Sequence, residues 1–408
     1  MDRDIDGILF MKTGALKLTL PAFAVFFIAG VFLMGYLQNA LRGTTMTLGV
    51  DLYPRWVGAQ AALNGESPYS FETRQKIWQA VYGKPDIPNG NPFGFYYPPA
   101  VVTLLAPFIL AGLSLETAAV LWCAFLWALW AALLLGWVTS LPIPQKARLA
   151  LIPLLLLSGI AFRPAYSNYL LGQYSLFSIG MLVLAWLALK HQQHVAAGIL
   201  GALCLVKFSL TLLPLAVLYF AYRANGKTLL AFGITSLLLY LPPTLMLGWW
   251  IPDFLRDISG YASENAVAWD WTRLASPSGL GWIALSLTLL LRSLLRRDAD
   301  LAIAASLALT AVFVPHTADY DLIAFAPLLA LLGGRLTANQ RISPLLSWTS
   351  FGLLLWLPWL SLLYFLRQPL QTAVEDWYVF IWLIYPLMIL TPSFLYEEIT
   401  NKNRLGGR

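Results

Sequence analysis

The chain has 408 residues, of which 59% are hydrophobic and only 11% are charged, and its formal net charge is +6. Soluble domains carry about 25% charged residues, so this composition excludes an ordinary soluble protein and predicts a polytopic membrane protein. The Lys and Arg residues are scattered through short loops and form no basic stripe, which argues against a nucleic-acid partner.

Apolar runs along the chain predict about 12 transmembrane helices. A span needs about 20 apolar residues, and the shorter runs require a bundle whose neighbours satisfy broken backbone. The first run follows a polar N-terminus without an obvious small-residue cleavage site, so we interpret it as a retained span and not as a signal peptide. The predicted spans are 16–38, 116–138, 147–162, 174–190, 195–206, 207–222, 228–249, 278–295, 300–315, 321–334, 343–366 and 376–395.

The apolar run 98–112 decides the predicted topology. Counted as a crossing, it would place the basic loops 223–227 and 292–297 on the wrong side of the membrane. Treated as a juxtamembrane or re-entrant helix, it leaves 16 of the 26 Lys and Arg residues on the cytoplasmic side, as the positive-inside rule requires. Both termini are then cytoplasmic, the long loop 39–97 is extracytoplasmic, and residues 1–408 form one all-α membrane domain.

This topology gathers chemically capable residues on the extracytoplasmic face, beginning with Asp51 in the segment Gly-Val-Asp-Leu-Tyr-Pro-Arg-Trp, 49–56. Asp51 either caps a short helix, 54–63, whose N-terminus favours a negative charge, or acts as a general base on an acceptor hydroxyl. The aromatic residues and prolines around it favour the second interpretation. The residues expected to contact substrate there are Tyr53, Arg55, Tyr69 and Tyr97.

Cationic and amide side chains on the same face are candidates for binding a phosphate. Arg163 could instead extend towards lipid headgroups, and Gln173, at a helix start, could merely satisfy backbone groups. Lys207 interrupts an apolar stretch, where a cation indicates function by default, although it could be a structural lysine at a helix break. Arg273 lies in the loop 250–277, which could close over a ligand or cap the interface.

A further candidate cluster is the segment Pro-His-Thr-Ala-Asp-Tyr-Asp at 315–321. His316 is either a loop histidine hydrogen-bonded to Asp319 or a functional group, and Asp319 and Asp321 are candidates for substrate contacts. These side chains lack a recognisable ligand spacing, so we expect no metal. Both cysteines of the chain lie in apolar runs and are typical of buried apolar residues, not of a disulfide or metal site.

Taken in order, these segments resemble glycosyltransferase family 87, which contains polyprenyl-phosphate-mannose-dependent α-mannosyltransferases. No single motif is specific, but the ordered set, from Asp51 to about Leu329, is fairly specific. Phe208 departs from the family, in which proline is expected after the lysine. The segments that carry the resemblance are Asp51, Asn-Gly-x-x-Pro-Tyr (64–69), Tyr-Pro-Pro (97–99), Gly-Gln (172–173), Ala-Gly…Lys (197, 198 and 207) and Pro-His…Asp-Tyr-Asp (315–321).

The resemblance implies a GT-C fold, a helical membrane bundle with an extracytoplasmic site, in a bacterial cytoplasmic membrane. It implies that Asp51 is the base and that His316 lies near the donor phosphate. The donor is then a polyprenyl-phosphate sugar, the acceptor a lipid or glycan hydroxyl, and the remaining partners are membrane lipids, with no cofactor. The further candidates for the donor phosphate are Lys207, Arg163, Arg273 and Gln173.

Two other classes of membrane protein compete with the transferase. A transporter or lipid flippase could line its substrate path with Lys207 and Asp321, but no inverted repeat is visible and the polar groups collect on one side. A non-catalytic membrane scaffold would not need an outward cluster of Asp, Lys and His. The sequence therefore favours the transferase, while the acceptor and the identity of the sugar stay open.

Overall fold

The computed structural model of the chain describes residues 13–42, 47–85, 93–141, 153, 156–264, 276–313, 319–338, 356–357, 359–360, 363–364 and 385–405. All regular elements within these ranges are helical. They are α1 (Thr13–Ala40), α2 (Leu52–Leu63), α3 (Phe71–Tyr82), α4 (Ala100–Leu110), α5 (Leu115–Ser140), α6 (Arg163–Leu171), α7 (Tyr174–Lys190), α8 (His194–Cys204), α9 (Phe208–Ala221), α10 (Gly226–Leu247), α11 (Ile251–Glu264), α12 (Pro277–Leu295), α13 (Ala299–Val312), α14 (Ala326–Ala338) and α15 (Tyr385–Leu405), with 3₁₀ turns at Leu205–Lys207 and Asp319–Phe325.

Several of the described helices are long and apolar enough to cross a membrane, which confirms a polytopic helical membrane protein. The five segments are Leu20–Ala40, Leu115–Ser140, His194–Ala221, Gly226–Leu247 and Pro277–Leu295, and the bent pair α6–α7 would add a sixth. The predicted spans 147–162, 343–366 and 376–395 lie partly outside the described residues. The total of about 12 spans therefore stays a prediction.

The chain reverses direction at Lys207. Residues 194–221 have the length and composition of one span, but the Tyr219 hydroxyl donates to the carbonyl oxygen of Ala197 at 3.1 Å. In one straight helix these two residues would be about 33 Å apart, at 1.5 Å per residue. Helices α8 and α9 therefore form a hairpin whose tip is the 3₁₀ turn Leu205–Lys207.

Charged side chains join several helix ends at one end of the bundle, which we call the basal end. Lys190 Nζ donates to Asp300 Oδ2 at 2.6 Å, the Tyr222 hydroxyl donates to Asp300 Oδ1 at 2.7 Å, and Arg335 pairs with Asp298. These contacts place the ends of α7 and α9, the start of α13 and the last turn of α14 together. The tip of the hairpin lies about 21 Å away along α9, at the opposite end, which we call the site end.

Helix α4 is short for a transmembrane element. It runs from Ala100 to Leu110, which gives a length of about 16 Å against a hydrocarbon core of about 30 Å. It packs between α2 and α10, and the Thr103 hydroxyl donates to the carbonyl oxygen of Leu239 at 2.7 Å. This length suits the juxtamembrane helix expected at 98–112, whose depth in a bilayer stays a prediction.

Apolar side chains on the outside of the bundle mark its lipid-facing surface. Leu20 and Phe32 on α1 are each 75% exposed, and Leu245 on α10 is 76% exposed. Contiguous apolar surface of this kind is rare on soluble proteins. Its position on α1 and α10 places these two helices at the periphery, whereas α7 and α13 are buried along most of their length.

The close approach of α8 to α10 depends on Gly198, and we expect Gly198→Ala to destabilise the protein. A Cβ atom at this position would lie 2.3 Å from the carbonyl oxygen of Thr228 and 2.8 Å from the amide nitrogen of Phe232. Both are backbone atoms, so the two helices would have to separate, at a typical overpacking cost of about 1–3 kcal/mol. Thermal unfolding of the purified protein measures the effect.

Gly233→Ala is the matched control for this substitution. A Cβ atom at Gly233 in α10 would meet no atom within 4 Å, and alanine is the better helix former. The unfolding temperature should therefore fall for Gly198→Ala and should not fall for Gly233→Ala. Equal unfolding temperatures for the two variants would contradict the packing of α8 against α10.

Candidate functional site

The turn before α2 places Asp51 beside the end of α6. Gly49 has a φ of 67°, in the left-handed region that glycine adopts without strain. The amide of Gly49 donates to the carbonyl oxygen of Leu170 at 2.8 Å, and the amide of Asp51 donates to that of Leu171 at 3.0 Å. A Cβ atom at Gly49 would also lie 3.0 Å from Ala119 Cβ. The backbone of Asp51 is therefore fixed by tertiary hydrogen bonds.

The carboxylate of Asp51 does not cap α2. Asp51 occupies the N-cap position, but its side chain accepts no capping hydrogen bond, and α2 begins at Leu52, two residues before its predicted start. Oδ2 instead accepts a hydrogen bond from Gln173 Nε2 at 2.6 Å. The interpretation of Asp51 as a side-chain cap is therefore wrong, and its partly exposed carboxylate is held by a residue 122 positions away.

Gln173 connects this carboxylate to a guanidinium. It precedes α7 without capping it, so the interpretation that its amide merely satisfies backbone groups is wrong. Its Oε1 accepts a hydrogen bond from Arg55 Nη2 at 2.7 Å, while its Nε2 donates to Asp51. The side chain of Gln173 is thus fixed at both ends, and it is buried.

Arg55 lies behind Gln173 and is fully buried, with 0% of its surface exposed. Its Nη1 donates to the carbonyl oxygen of Gly172 at 2.8 Å, and its Nη2 also contacts the Tyr97 hydroxyl. The guanidinium carbon lies 4.2 Å from the ring centroid of Tyr97 and 4.5 Å from that of Tyr174. The guanidinium of Arg55 is therefore enclosed by protein groups, and its contact with substrate stays a prediction.

The tyrosines expected to contact substrate differ in exposure. Tyr53 and Tyr69 are 7% and 5% exposed, so both rings pack inside, whereas Tyr97 keeps accessible surface. The Tyr69 hydroxyl donates to the carbonyl oxygen of Tyr97 at 2.9 Å. Burial raises the pKa of Tyr97, and the Asp51 carboxylate acts in the same direction against the opposing effect of Arg55. The Tyr97 phenol is therefore neutral at physiological pH.

A second polar cluster lies at the tip of the α8–α9 hairpin. Lys207 Nζ donates to Ser175 Oγ at 2.7 Å and forms an ion pair with Asp321, while Ser175 Oγ donates to Asp321 Oδ1 at 2.6 Å. Asp321 is fully buried and the Lys207 side chain is 15% exposed. The ring of Tyr320 lies 5.1 Å from Lys207 Nζ. The Asp321 carboxylate therefore serves as the counter-ion of Lys207, and its contact with substrate stays a prediction.

The elbow between α6 and α7 joins the two clusters. The two helix axes differ in direction by 113°, and Gly172 at the bend has a φ of 74°. Gln173 contacts Asp51 and Arg55, whereas Ser175 contacts Lys207 and Asp321. The Cα atoms of Gln173 and Ser175 are separated by two trans peptide steps, which is at most about 7.6 Å. Asn168 fixes the elbow to the 3₁₀ turn Asp319–Phe325, because its Nδ2 donates to the carbonyl oxygen of Tyr320 at 2.7 Å. The elbow therefore determines the spacing between Asp51 and Lys207.

Helix α11 covers the aromatic side of the site. The Phe254 ring lies 6.1 Å from that of Tyr69 and 6.3 Å from that of Phe208, next to the hairpin tip. Arg74 in α3 and Asp257 in α11 form an ion pair at 3.3 Å. Burial raises the pKa of Asp257, and Arg74 opposes that shift. The outer helices α3 and α11 are thus connected to each other and to the tip.

The remaining candidates lie apart from the two clusters or outside the described residues. Arg163 begins α6, about 12 Å along the helix from the elbow, and its guanidinium lies 5.0 Å from the Trp359 ring. His316, Arg273 and the side chain of Asp319 lie outside the described residues. Within the described ranges, no group of three His, Cys, Asp or Glu side chains is arranged to hold a metal ion.

Two residues that support the elbow, Ser175 and Trp122, are not among the residues predicted from the sequence. Ser175 hydrogen-bonds both members of the Lys207–Asp321 pair, and its position two residues after Gln173 in a polar segment is a usable signal. Trp122 Nε1 donates to the carbonyl oxygen of Gly172 at 2.9 Å. The chain has 17 tryptophans, so nothing in the sequence distinguishes this one.

A comparison with known families identifies a match. The sequence profile of glycosyltransferase family 87 matches residues 95–339, more than half of the chain. The matched region contains the elbow and the Lys207–Asp321 pair, whereas Asp51 and Arg55 precede it. No curated protein and no solved structure matches the chain.

Proposed function

The chain belongs to glycosyltransferase family 87, and we propose that it moves a hexose, with mannose as the favoured sugar, from polyprenyl phosphate to a hydroxyl group of a lipid-linked or glycan acceptor. Family membership makes the protein a glycosyltransferase, and the described helices make it an integral membrane protein. The proposed donor and acceptor are both amphipathic or membrane-bound, which suits a site at one end of a helical bundle. The transporter interpretation has no comparable support.

The observation that carries this proposal is that two neighbouring residues of the elbow hold the Asp51 carboxylate and the Lys207 ammonium group. Asp51 is held through Gln173 and Lys207 through Ser175. A glycosyl transfer needs a base on one face of the sugar and a charge that stabilises the leaving phosphate on the other face. The short spacing between Gln173 and Ser175 holds the two groups at the same elbow, where the Tyr97 phenol interacts with both Asp51 and Asp321.

The proposed reaction is a single displacement. Asp51 accepts the proton of the acceptor hydroxyl group. At the same time, the oxygen of that hydroxyl group forms a bond to the anomeric carbon of the donor sugar. The bond from that carbon to the phosphate oxygen breaks, and its electron pair leaves with the polyprenyl phosphate. Attack from the opposite face inverts the configuration, so a β-linked donor gives an α-linked product.

Lys207 is proposed to stabilise the departing phosphate. An ammonium group has three N–H donors. Among the described residues, Ser175 and Asp321 engage two of them, and the third is proposed to donate to a phosphate oxygen. His316, Arg163 and Arg273 stay proposed contributors by resemblance. The contacts with Ser175 and Asp321 hold the Lys207 ammonium in place, and the Asp321 carboxylate offsets part of its positive charge.

The extracytoplasmic position of the site is also a proposal. The basal end carries Lys190, Arg223, Lys227, Arg297 and Arg335 at or near helix ends, and the positive-inside rule assigns such an end to the cytoplasm. Asp51 and Lys207 lie at the opposite end. We therefore propose that the site faces outward, in the bacterial cytoplasmic membrane that the resemblance implies.

Transfer by the purified protein in lipid nanodiscs tests the proposed function. Polyprenyl phosphate [³H]mannose is the donor and octyl α-mannoside the probe acceptor, with release of free mannose to water measured in parallel. We expect label in the octyl glycoside, an α-linkage in the product by NMR, and no transfer from a nucleotide-activated mannose. Transfer from the nucleotide sugar alone, or no cleavage of polyprenyl-phosphate mannose or glucose by acceptor or water, would overturn the proposal.

A further inference from the structure

We propose that Gln173 and Arg55 are positioning residues that orient the Asp51 carboxylate and keep it in its basic form; this inference rests on the proposed function. The chain Arg55–Gln173–Asp51 links a buried cation to the carboxylate through one amide. Its two hydrogen bonds are 2.7 Å and 2.6 Å long. Neither Gln173 nor Arg55 touches the reacting atoms in this proposal.

The direction of the Gln173 amide follows from Arg55. A guanidinium has only N–H donors, so the group facing it must be the amide oxygen. The NH₂ group then has to face Asp51, where it donates to Oδ2. The reversed amide would place donors against donors at Arg55 and an oxygen against the carboxylate of Asp51. The buried arginine therefore fixes a donor, not an acceptor, beside the base.

Arg55 is itself held from several sides. The carbonyl oxygen of Gly172 accepts from Nη1, and the rings of Tyr97 and Tyr174 lie against the guanidinium. Stacking and hydrogen bonding of this kind suit arginine and not lysine. Gly172 is also the glycine of the elbow, so the same residue sets the position of Arg55 and the bend before Gln173.

A hydrogen bond donated to a carboxylate favours its ionised form. Gln173 supplies such a donor, and the positive charge of Arg55 acts in the same direction across the amide. Both effects keep Asp51 able to accept a proton from the acceptor hydroxyl. The titratable and charged side chains that interact with Asp51 from the packed elements are Arg55 of α2, Tyr97 before α4 and Cys123 of α5.

The pH dependence of transfer by Gln173→Glu tests this inference. An ionised glutamate at 173 still accepts from Arg55 but cannot donate to Asp51, and it places a like charge next to the base. Like charges that share a site raise the proton affinity of one of them. We expect the acidic limb of the kcat/KM profile to move to higher pH by about 1–3 units, with the alkaline rate partly retained.

Two further variants separate positioning from folding. Gln173→Met keeps the length of the side chain without its hydrogen bonds, so kcat should fall about 10-fold or more, equivalent to about 1.4 kcal/mol in the barrier, with an unchanged KM for the donor. Gln60→Glu introduces the same charge on the exposed face of α2 and should leave the pH profile unchanged. Thermal unfolding of each variant reports whether the fold is retained.

The outcomes distinguish this inference from the proposed function. If the wild-type protein transfers sugar but the Gln173→Glu profile overlays the wild-type profile, the positioning role is refuted while the function stands. If Gln173→Glu lowers the transfer rate equally at every pH and also lowers the unfolding temperature, Gln173 has only a structural role. Absence of transfer by the wild-type protein refutes the function itself.

Discussion

Asp51→Asn should lower sugar transfer by about 10²–10⁴-fold, the usual contribution of a general base. Asparagine keeps the size of the side chain and can still accept the hydrogen bond from Gln173 through its oxygen, but it cannot take up a proton. Binding of the donor should survive, because the proposed phosphate contact, Lys207, is held by a separate cluster. Single-turnover transfer and donor binding, measured on the same preparation, check both expectations.

Asp253→Asn is the control for this substitution. It removes the same charge from α11, where the Asp253 side chain is 42% exposed and pairs only with the neighbouring Arg256 among the described residues. We expect wild-type transfer from it. Asparagine also caps helices about as well as aspartate, so a helix-terminal role for Asp51 predicts a silent Asp51→Asn variant. Near-normal turnover of a well-folded Asp51→Asn protein would remove Asp51 from the mechanism.

The long apolar helices of this fold could be predicted closely from the sequence. The predicted span 116–138 is α5, Leu115–Ser140, and the predicted span 278–295 is α12, Pro277–Leu295. Continuous apolar composition bounded by polar or charged residues determines such helices locally. The predicted division at 206–207 also agrees with the hairpin, because a lysine inside an apolar run marks a place where the helix cannot continue through lipid.

The predicted span 321–334 differs from the structure, because its start depends on tertiary contacts. The structure divides this segment into a 3₁₀ turn, Asp319–Phe325, and α14, which begins at Ala326. Pro327 has no backbone N–H and suits the first turn of a helix, not its interior. Asp321 therefore lies in the 3₁₀ turn, where it pairs with Lys207. The sequence pattern does not predict this ion pair.

The residues of the candidate site could be predicted from the sequence, but the hydrogen bonds between them could not. Asp51, Gln173 and Lys207 stand out as polar groups at membrane edges. The sequence does not show that Gln173 connects Asp51 to Arg55, since those contacts join positions 122 and 118 residues apart. Nor does it show that Arg55 is buried, because an arginine in a loop normally keeps its charge in water. Both facts depend on how α2 packs against the elbow.

Removing either partner of the Lys207–Asp321 pair should destabilise the protein more than removing both. Asp321 is fully buried and the Lys207 side chain is 15% exposed, and an unpaired charge left in a buried place costs about 3–5 kcal/mol. Lys207→Met should therefore lower the unfolding temperature, and so should Asp321→Asn, which leaves the ammonium without its counter-ion. The double variant carries no charge at this position and should recover most of the loss.

Transfer activity separates the structural and functional roles of this pair. If Lys207 binds the donor phosphate, the double variant should regain stability but keep a raised KM for polyprenyl-phosphate mannose and a lowered kcat. The exposed ion pair Lys76–Glu66 is the control, since its side chains are 53% and 46% exposed and surface pairs contribute about 0–1 kcal/mol. Lys76→Met with Glu66→Gln should change neither stability nor transfer. Recovery of both stability and wild-type kinetics in the Lys207→Met/Asp321→Asn protein would show that Lys207 only holds the hairpin tip in place, and the phosphate would then need another cation.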